Sequence, residues 1–462
     1  MKPTRRSLLS GISAIAALPG CASGRGKPPN LEDTGDPSGD TGIATEPEPA
    51  PARTAEPEEL WEPEGSVDEV AFPCGVQVGD VGPHGAQINV WMNVSEGEIL
   101  LARAEVDEWV PLDDSTNVIR DGVCCQTEIG GLEPDTAYCV VARSEGVRST
   151  VTRFRTALAE DGFRQMTIGA ACCLGGNRPW PSLTHVAQAR PDVFMLLGDT
   201  VYADRAETLE GYREYWEEAL TTQGLLDVSA NSSLIATWDD HEVVNNFEGL
   251  LTASDQFEAG LAAFREGLPQ TEGRDGGIWR KLSWGQTADI FVLDGRGERD
   301  GETQYLSPEQ LEWFKSELLA STARFKLIMN SVPITDYSPI FAEALADDRW
   351  QGYPEQRREI LDHILAHEVE GVLWITGDFH MSTASRIDPP GGAAEELWEI
   401  MVGTGGSFLN IAAELLEPRE QFPVIFAQWC STLFHLDPGT GQVRVEWVGD
   451  DGSVLDTFEI FL

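Results

Sequence analysis

Four short apolar runs in this 462-residue chain are each followed at once by residues that can bind a metal ion. The four endings are Cys172-Cys173, Gly198-Asp199-Thr200-Val201-Tyr202, Asp239-Asp240-His241-Glu242 and Gly377-Asp378-Phe379-His380, with Asn245 and Asn246 shortly after the third. Such runs between turn residues indicate buried β-strands, and ligand sites in α/β proteins form beyond the carboxyl ends of the strands. We therefore expect the four endings to converge, although they are spread over about 200 residues.

The residue types at these endings suit two metal ions. Carboxylates are hard ligands that can bridge two cations, while His, Cys and Tyr add donors that select a transition metal. Two cations about 4 Å apart can activate a water and neutralise both the attacking and the leaving oxygen of a phosphoryl transfer. A histidine beside them can protonate the leaving group. The sequence therefore predicts a metal-dependent phosphoesterase.

The motifs differ in how strongly each one indicates a functional site. A lone Gly-Asp is an ordinary turn at the end of a strand. Two acids and a histidine directly after an apolar strand, as in 238–242, make a poor turn and a good ligand set. The joint occurrence of all three motifs favours a functional site over three structural turns.

The three motifs, in this order, resemble those of the alkaline phosphatase D family of metallophosphatases. The patterns are Gly-Asp-x-x-Tyr at 198–202, Trp-Asp-Asp-His-Glu-x-x-x-Asn at 238–246 and Gly-Asp-x-His at 377–380, and the resemblance runs through about residues 70–440. It implies a two-sheet αββα fold behind a β-sandwich. It also implies a ferric ion held in part by a tyrosinate and a cysteine thiolate, one or more calcium ions, and hydrolysis of phosphomonoesters and phosphodiesters.

The resemblance also implies roles for single residues. Asp199 would bridge the metals, and the iron side would hold Tyr202, Cys172, Asp378 and His380. Ala170-Ala171-Cys172 matches the family's Ala-Ser-Cys pattern, which favours Cys172, although the choice between Cys172 and Cys173 stays open.

On the calcium side the resemblance implies Asp240 and one of Asn245 and Asn246. His241 would face the phosphate. The stretch 293–296 is similar to the family's Leu-Asp-Thr-Arg, and Arg296 is a candidate phosphate clamp because a guanidinium binds phosphate oxygens bidentately.

The predicted organisation has four parts. Residues 1–21, with Arg5-Arg6 and a closing Leu18-Pro19-Gly20-Cys21, indicate twin-arginine export and a lipid anchor at Cys21, with plain secretion as the alternative. Residues 22–70 are acidic and proline-rich, which predicts a disordered linker. We expect a periplasmic or cell-surface protein.

The remaining two parts are folded. Residues 71–157 predict a small β-sandwich, because 131–138 resembles the tyrosine corner of immunoglobulin- and fibronectin-like domains. Residues 163–462 alternate strands with helices, including one after Ser307 and one over about 355–367. The predicted fold class is α/β: a two-sheet αββα metallophosphatase sandwich preceded by a small all-β immunoglobulin/fibronectin-like domain.

The formal charge of −45 argues against nucleic-acid binding through the surface. We expect small-molecule phosphate esters as partners and a monomer. The chain has eight cysteines, and an exported protein allows bridges among Cys74, Cys124, Cys125 and Cys139.

Two other functions stay open. One is a nucleotidase or phospholipase-type diesterase on the same site, and the other is a non-catalytic surface binding protein with a decayed hydrolase domain. His363 and His367 share one helix face without a third ligand, so we interpret them as surface histidines. Trp180 could line the substrate cleft, but core packing is the preferred interpretation.

Overall fold

The computed structural model describes residues 47–56, 62–104, 108–111, 118–120, 124–176, 178–337, 348–411, 413 and 420–462. The predicted signal, the linker up to residue 46 and the lipid-anchor position Cys21 lie outside these residues. Within them, no helix combines the length and the apolar character that crossing a membrane requires.

The described residues form six α-helices and a larger number of short strands. The helices are α1 (Pro181–Gln188), α2 (Leu209–Leu220), α3 (Gln223–Asn231), α4 (Ser254–Gly267), α5 (Pro308–Ala320) and α6 (Pro354–Ala366). The strands are β1 (Ser66–Val67), β2 (Val76–Gly79), β3 (Gly85–Trp91), β4 (Glu98–Arg103), β5 (Val110–Pro111), β6 (Val118–Arg120), β7 (Cys124–Gly130), β8 (Ala137–Ser144), β9 (Val147–Arg148), β10 (Thr152–Arg155), β11 (Met166–Ala171), β12 (Val193–Leu197), β13 (Ser233–Thr237), β14 (Arg280–Trp284), β15 (Ala288–Val292), β16 (Phe325–Met329), β17 (Val372–Thr376), β18 (Ser382–Arg386), β19 (Trp398–Val402), β20 (Val424–Phe426), β21 (Cys430–Asp437), β22 (Gln442–Gly449) and β23 (Val454–Phe461).

The strands form three sheets. The first has the order β1-β9-β8-β4-β5, with β10 also paired to β8. The second has the order β23-β22-β21-β11-β12-β13-β2-β3-β7-β6, and the third β14-β15-β16-β17-β19-β18-β20. Strands β11, β12 and β13 are parallel, as are β15, β16, β17 and β19. Since parallel strands end at the same edge of a sheet, the predicted ligand segments after β11, β12 and β13 are brought side by side.

Alternate side chains of the central strands are buried in two different cores, one on each face of the sheet. On β12, Met195 and Leu197 belong to a core that also contains side chains of the third sheet, such as Ile290 and Ile375. The intervening Phe194 and Leu196 pack with α1 to α4, and a further core joins the third sheet to α5 and α6. Strands buried on both faces read as continuous apolar runs, as these do. The fold is therefore a mixed α/β fold with several sheets.

The helix predicted after Ser307 is confirmed in detail. The Ser307 hydroxyl accepts a hydrogen bond from the Gln310 N–H at 3.1 Å, and Pro308 occupies the first turn. The helix predicted over 355–367 is α6. On it, His367 Nδ1 contacts the His363 carbonyl and His363 Nε2 contacts the Lys315 carbonyl, as expected of surface histidines rather than ligands.

The predicted β-sandwich region supplies the first sheet apart from β1, but its other strands are not separate from the second sheet. Strand β2 pairs with β13 through Gly79–Leu234, so that β2, β3, β7 and β6 continue the second sheet. Gly79 is required at this junction, because a Cβ there would lie 2.1 Å from the Pro269 carbonyl oxygen. The Tyr138 hydroxyl accepts a hydrogen bond from the Glu133 N–H at 3.0 Å, which is the contact that a tyrosine corner makes.

Two further expectations need correction. The linker was predicted to run to residue 70, but residues 47–56 lie along the folded body, where Pro51 accepts a hydrogen bond from the Gln165 N–H at 2.7 Å. Bridges were expected among the early cysteines, but Cys74, Cys125 and Cys139 are buried thiols in the described part of the chain. Their burial in apolar cores gives a structural reason for cysteine at these positions.

A buried ion pair ties the end of β2 to the third sheet. Asp80 accepts hydrogen bonds from Arg280 Nε at 2.6 Å and Nη2 at 2.7 Å, and from the Thr271 N–H at 2.6 Å. The Asp80 side chain is fully buried. Removing the charge from one side of such a pair leaves the other buried and uncompensated.

We therefore expect Asp80→Asn to lower the free energy of unfolding by about 3–5 kcal/mol in a urea titration. Asparagine tolerates the left-handed backbone of Asp80 (φ 44°), so the change isolates the charge. The control is Glu98→Gln, which breaks a half-exposed pair with Arg143 and should cost less than about 1 kcal/mol. Equal losses in the two variants would contradict the structural importance of the Asp80 pair.

Candidate metal centre

The loops that follow β11, β12, β13 and β17 share an unusual backbone conformation. Five residues there have positive φ: Cys173 (53°), Asp199 (55°), Asn246 (56°), Asp378 (68°) and His380 (51°). This left-handed backbone conformation raises the conformational energy of residues other than glycine, although less for Asp and Asn than for the others. Such strain persists where the surrounding structure holds it, and its concentration at one place indicates a functional site.

The first group of donors contains Cys173, Asp199 and His380, whose ligand atoms all lie within 4.8 Å of one another. Tyr202 belongs beside them, since its hydroxyl donates to Asp199 Oδ2 at 2.9 Å and lies 3.3 Å from His380 Nε2. The group combines a thiol, a carboxylate, an imidazole and a phenol. Such a set suits a transition metal.

The preference for Cys172 over Cys173 is corrected by this geometry. The Cys172 thiol donates a hydrogen bond to the Gly403 carbonyl at 2.6 Å, whereas Cys173 joins Asp199 and His380. The chain leaves β11 and turns into the left-handed region at Cys173, and the two neighbouring thiols have different further partners. Motif alignment places the cysteine pair at the site but does not report this turn.

The second group contains Asp199, Asp240 and His241, again with ligand atoms within 4.8 Å. Asp240 Oδ2 accepts a hydrogen bond from the Asn246 N–H at 2.6 Å, and the Asn246 side-chain oxygen accepts one from Asn245 Nδ2 at 2.9 Å. Asp199 is common to both groups. It therefore occupies the position that a bridging carboxylate requires.

The carboxylates of the site repel one another. Burial, and then the charges of Asp240 and Asp239, raise the pKa of Asp199 well above its usual range. Burial and then Asp239 do the same to the pKa of Asp378. In addition, Asp378 Oδ2 and Asp239 Oδ2 are buried and have no hydrogen-bond partner among the described residues. Bound cations would relieve both the repulsion and the missing contacts, so the residues present fit two metal ions that share Asp199.

Arg296 does not stand where a phosphate clamp would. It is completely buried, with Nε 2.6 Å from Asp239 Oδ1 and Nη1 2.5 Å from Asp348 Oδ1. Its remaining nitrogen, Nη2, is also closed off from solvent. The prediction that Arg296 clamps substrate is therefore replaced by a role beneath the site. Although burial opposes the charge of Asp240, Arg296 and then His241 hold the pKa of Asp240 below its usual range.

Glu242 is a positioning residue that the sequence motif contained without a role. Its carboxylate is fully buried and accepts three backbone hydrogen bonds, from the N–H groups of Asp199 (3.0 Å), Asp239 (2.9 Å) and Thr200 (2.7 Å). These N–H groups belong to the loops after β12 and β13. One side chain thus fixes both ligand loops against each other.

Asp204 is a second residue that sequence reasoning missed. Its Oδ1 lies 2.8 Å from His241 Nδ1 and accepts a hydrogen bond from the Asn245 N–H at 2.7 Å. The Tyr202 ring stacks on the His241 ring at 4.1 Å. His241 is therefore held in one orientation with Nδ1 engaged. The only sequence signal was an acid two residues after Tyr202, which motif reasoning did not use.

We expect Glu242→Gln to weaken metal binding by about tenfold to a hundredfold, the usual effect of losing a residue that orients ligands. The amide offers one acceptor oxygen for three N–H groups. The measurement is metal content after dialysis, together with far-UV circular dichroism to show that the variant is folded. Glu266→Gln is the matched control, because Glu266 is a buried acid paired with Arg213 and is not part of either donor group. Equal metal loss in both variants would contradict the assigned role.

The chain is 26% identical over 316 residues to alkaline phosphatase D of Bacillus subtilis (strain 168), a match that covers 56% of this chain and 54% of the relative. The chain thus spans about half the length of this curated relative.

Two solved structures share the fold. The structure of PhoD superposes with a TM-score of 0.71 at 19% identity, covering 87% of this chain and 90% of that one. The purple acid phosphatase PPD1 of yellow lupin (Lupinus luteus) superposes with a TM-score of 0.63 at 13% identity, covering 84% and 74%. The family model for PhoD-like phosphatase matches residues 169–421, which is more than half of the chain and includes every donor named above. The chain therefore belongs to the PhoD-like phosphatase family.

Proposed function

We propose that this protein is a metal-dependent phosphoesterase, an alkaline phosphatase or phosphodiesterase that hydrolyses small phosphate esters. The observation that carries the proposal is the sharing of Asp199 by two donor groups, the second of which includes the oriented histidine His241. Family membership and the relative named alkaline phosphatase D support the same reaction class.

Two bound cations would supply positive charge for the phosphoryl oxygens and lower the pKa of an attacking water. The chain's own residues then have separate tasks. Asp199 sets the spacing of the two positions, and Glu242 and Arg296 hold the loops that carry Asp199 and Asp240. His241, with Nδ1 bound to Asp204, has Nε2 left to exchange a proton with the leaving oxygen.

For the metals we propose iron on the Cys173, Tyr202 and His380 side. The support is the chemistry of the donors, since a thiolate, a phenolate and an imidazole favour a transition metal over calcium. For the other side, with Asp240 and the neighbouring Asn245 and Asn246, we propose calcium, which prefers carboxylate and amide oxygens. Asp378, with its buried and unpartnered Oδ2, would complete the iron side.

The finer fold assignment and the cellular location also belong to the proposal. The helices packed outside two facing sheets support an αββα sandwich, and the Tyr138 contact supports an immunoglobulin/fibronectin-like origin for the first strands. The Arg5-Arg6 pair and Cys21 support export with a lipid anchor to the cell surface.

The test is a paired hydrolysis assay with a chromogenic phosphomonoester and a phosphodiester, each with added calcium and with excess chelator. We expect the chelator to abolish turnover, because the buried carboxylates of the metal centre need bound cations to neutralise their charge. The ratio of the two activities distinguishes a phosphatase from a diesterase.

Asp199→Asn should abolish turnover and lower metal content while the fold is retained, since Asp199 is the shared donor. Asp255→Asn, on the exposed side of α4, is the control and should behave like the unmodified protein. Near-normal turnover in Asp199→Asn would exclude the bridging role. Absence of turnover with both esters in a folded, metal-loaded protein would favour the non-catalytic binding protein.

A further inference from the structure

A cavity of about 240 Å³ opens beside Tyr202, on the side of the metal centre that faces α2. Thr200 and Tyr202 of the ligand loop form one wall, and Tyr215 and Ala219 of α2 form another. The remaining walls include Arg178 and Trp180 from the segment before α1. None of these six residues except Tyr202 belongs to the donor groups, so the reaction chemistry does not account for the cavity.

Trp180 is held in a strained conformation at this cavity. Its φ is 49°, in the left-handed region that a bulky residue rarely adopts, and it directly precedes Pro181 at the start of α1. It is only 4% exposed. Core packing is the role that the sequence favours for Trp180. A packing role alone does not require backbone strain, which is usually retained where it positions a group for binding.

Three polar atoms of the wall residues are fully buried and have no hydrogen-bond partner among the described residues. They are Thr200 Oγ1, Trp180 Nε1 and Arg178 Nη1. The indole and guanidinium nitrogens can only donate. An unmade hydrogen bond of a buried group costs about 1–3 kcal/mol. These atoms are closed to a water-sized probe, so they lie behind the cavity surface, and the aromatic side chains of the walls decide what the cavity can bind.

Arg178 is fixed in place before any ligand binds. Its guanidinium lies 3.6 Å above the Trp429 ring, and it forms an ion pair with Asp450. Asp450 lies between β22 and β23, so that hairpin braces the cavity wall. A wall that is already ordered loses little entropy when a ligand binds.

The size and walls of the cavity indicate the shape of the occupant. A cavity of roughly 150 Å³ can hold benzene, so about 240 Å³ has room for a substituted ring. Trp180, Tyr202 and Tyr215 supply three aromatic side chains to its walls. Aromatic walls with a few fixed polar groups are typical of sites for planar organic groups.

We propose that this cavity is a specificity subsite that binds the alcohol portion of the phosphate ester and prefers a planar ring, such as a nitrophenyl group or a nucleobase. The proposal rests on the proposed phosphoesterase function. Its position next to Tyr202 places the ring of the ester at the edge of the metal centre.

The experiment compares an aryl and a methyl ester of whichever class, monoester or diester, the paired assay shows to be hydrolysed. The readout is the ratio of kcat/KM for the aryl and the methyl ester. This ratio is compared between variants, so that the intrinsic difference between the two leaving groups cancels. Ala219→Leu fills the cavity and should lower the aryl preference about tenfold, with the methyl ester within about twofold of the unmodified protein. Trp180→Phe replaces the indole by a smaller ring, which removes part of the aromatic wall, and should lower the preference about twofold to tenfold.

Ala189→Leu is the matched control, because Ala189 is exposed just after α1 and does not line the cavity. Its ratio should equal that of the unmodified protein. If Ala219→Leu does not fold, the ratio measured for Trp180→Phe is the test of the subsite. An unchanged ratio in active variants would overturn the subsite and leave the phosphoesterase intact. No hydrolysis of any ester by the folded, metal-loaded protein would overturn the proposed function and the subsite with it.

Discussion

Crowding of buried carboxylates is the constraint on which the rest of the molecule depends. Burial and then the charges of neighbouring acids raise the pKa values of Asp199, Asp239 and Asp378. Although burial opposes its charge, the pKa of Asp240 stays low because Arg296 and then His241 stabilise that charge. A chain can tolerate such a cluster only if rigid surroundings hold it and positive charge offsets it. Arg296 supplies fixed positive charge from below, and Glu242 fixes the backbone of two loops through three N–H groups.

The two facing sheets make the cluster possible. Strands β11, β12 and β13 contribute Cys173, Asp199, Asp240 and His241, whereas Asp378 and His380 come from the loop after β17 in the other sheet. The apolar core between the sheets sets their distance and hence the distance between the two sets of donors. The left-handed residues in these loops then turn each side chain toward the shared point.

The sequence predicted which segments come together at the site, because a polar run directly after a buried strand is a local signal. The α5 cap and the surface role of His363 and His367 were predicted for the same reason. Three features of the site could not be predicted from the sequence. The choice between Cys172 and Cys173 depends on one backbone angle. The burial of Arg296 depends on Asp239 and Asp348, which are distant in sequence. The roles of Glu242 and Asp204 depend on contacts between separate loops.

The second sheet has a consequence for the order in which the molecule can assemble. The metal-bearing strands β11 to β13 are flanked on one side by β2, through Gly79 and Leu234, and on the other by β21, through pairs such as Met166 and Leu436. Contacts of such sequence separation form late, because the intervening chain must first be ordered. The strands that carry the donors therefore gain both neighbours only after β21 has been synthesised. The complete metal centre is a product of the finished fold rather than a nucleus for it.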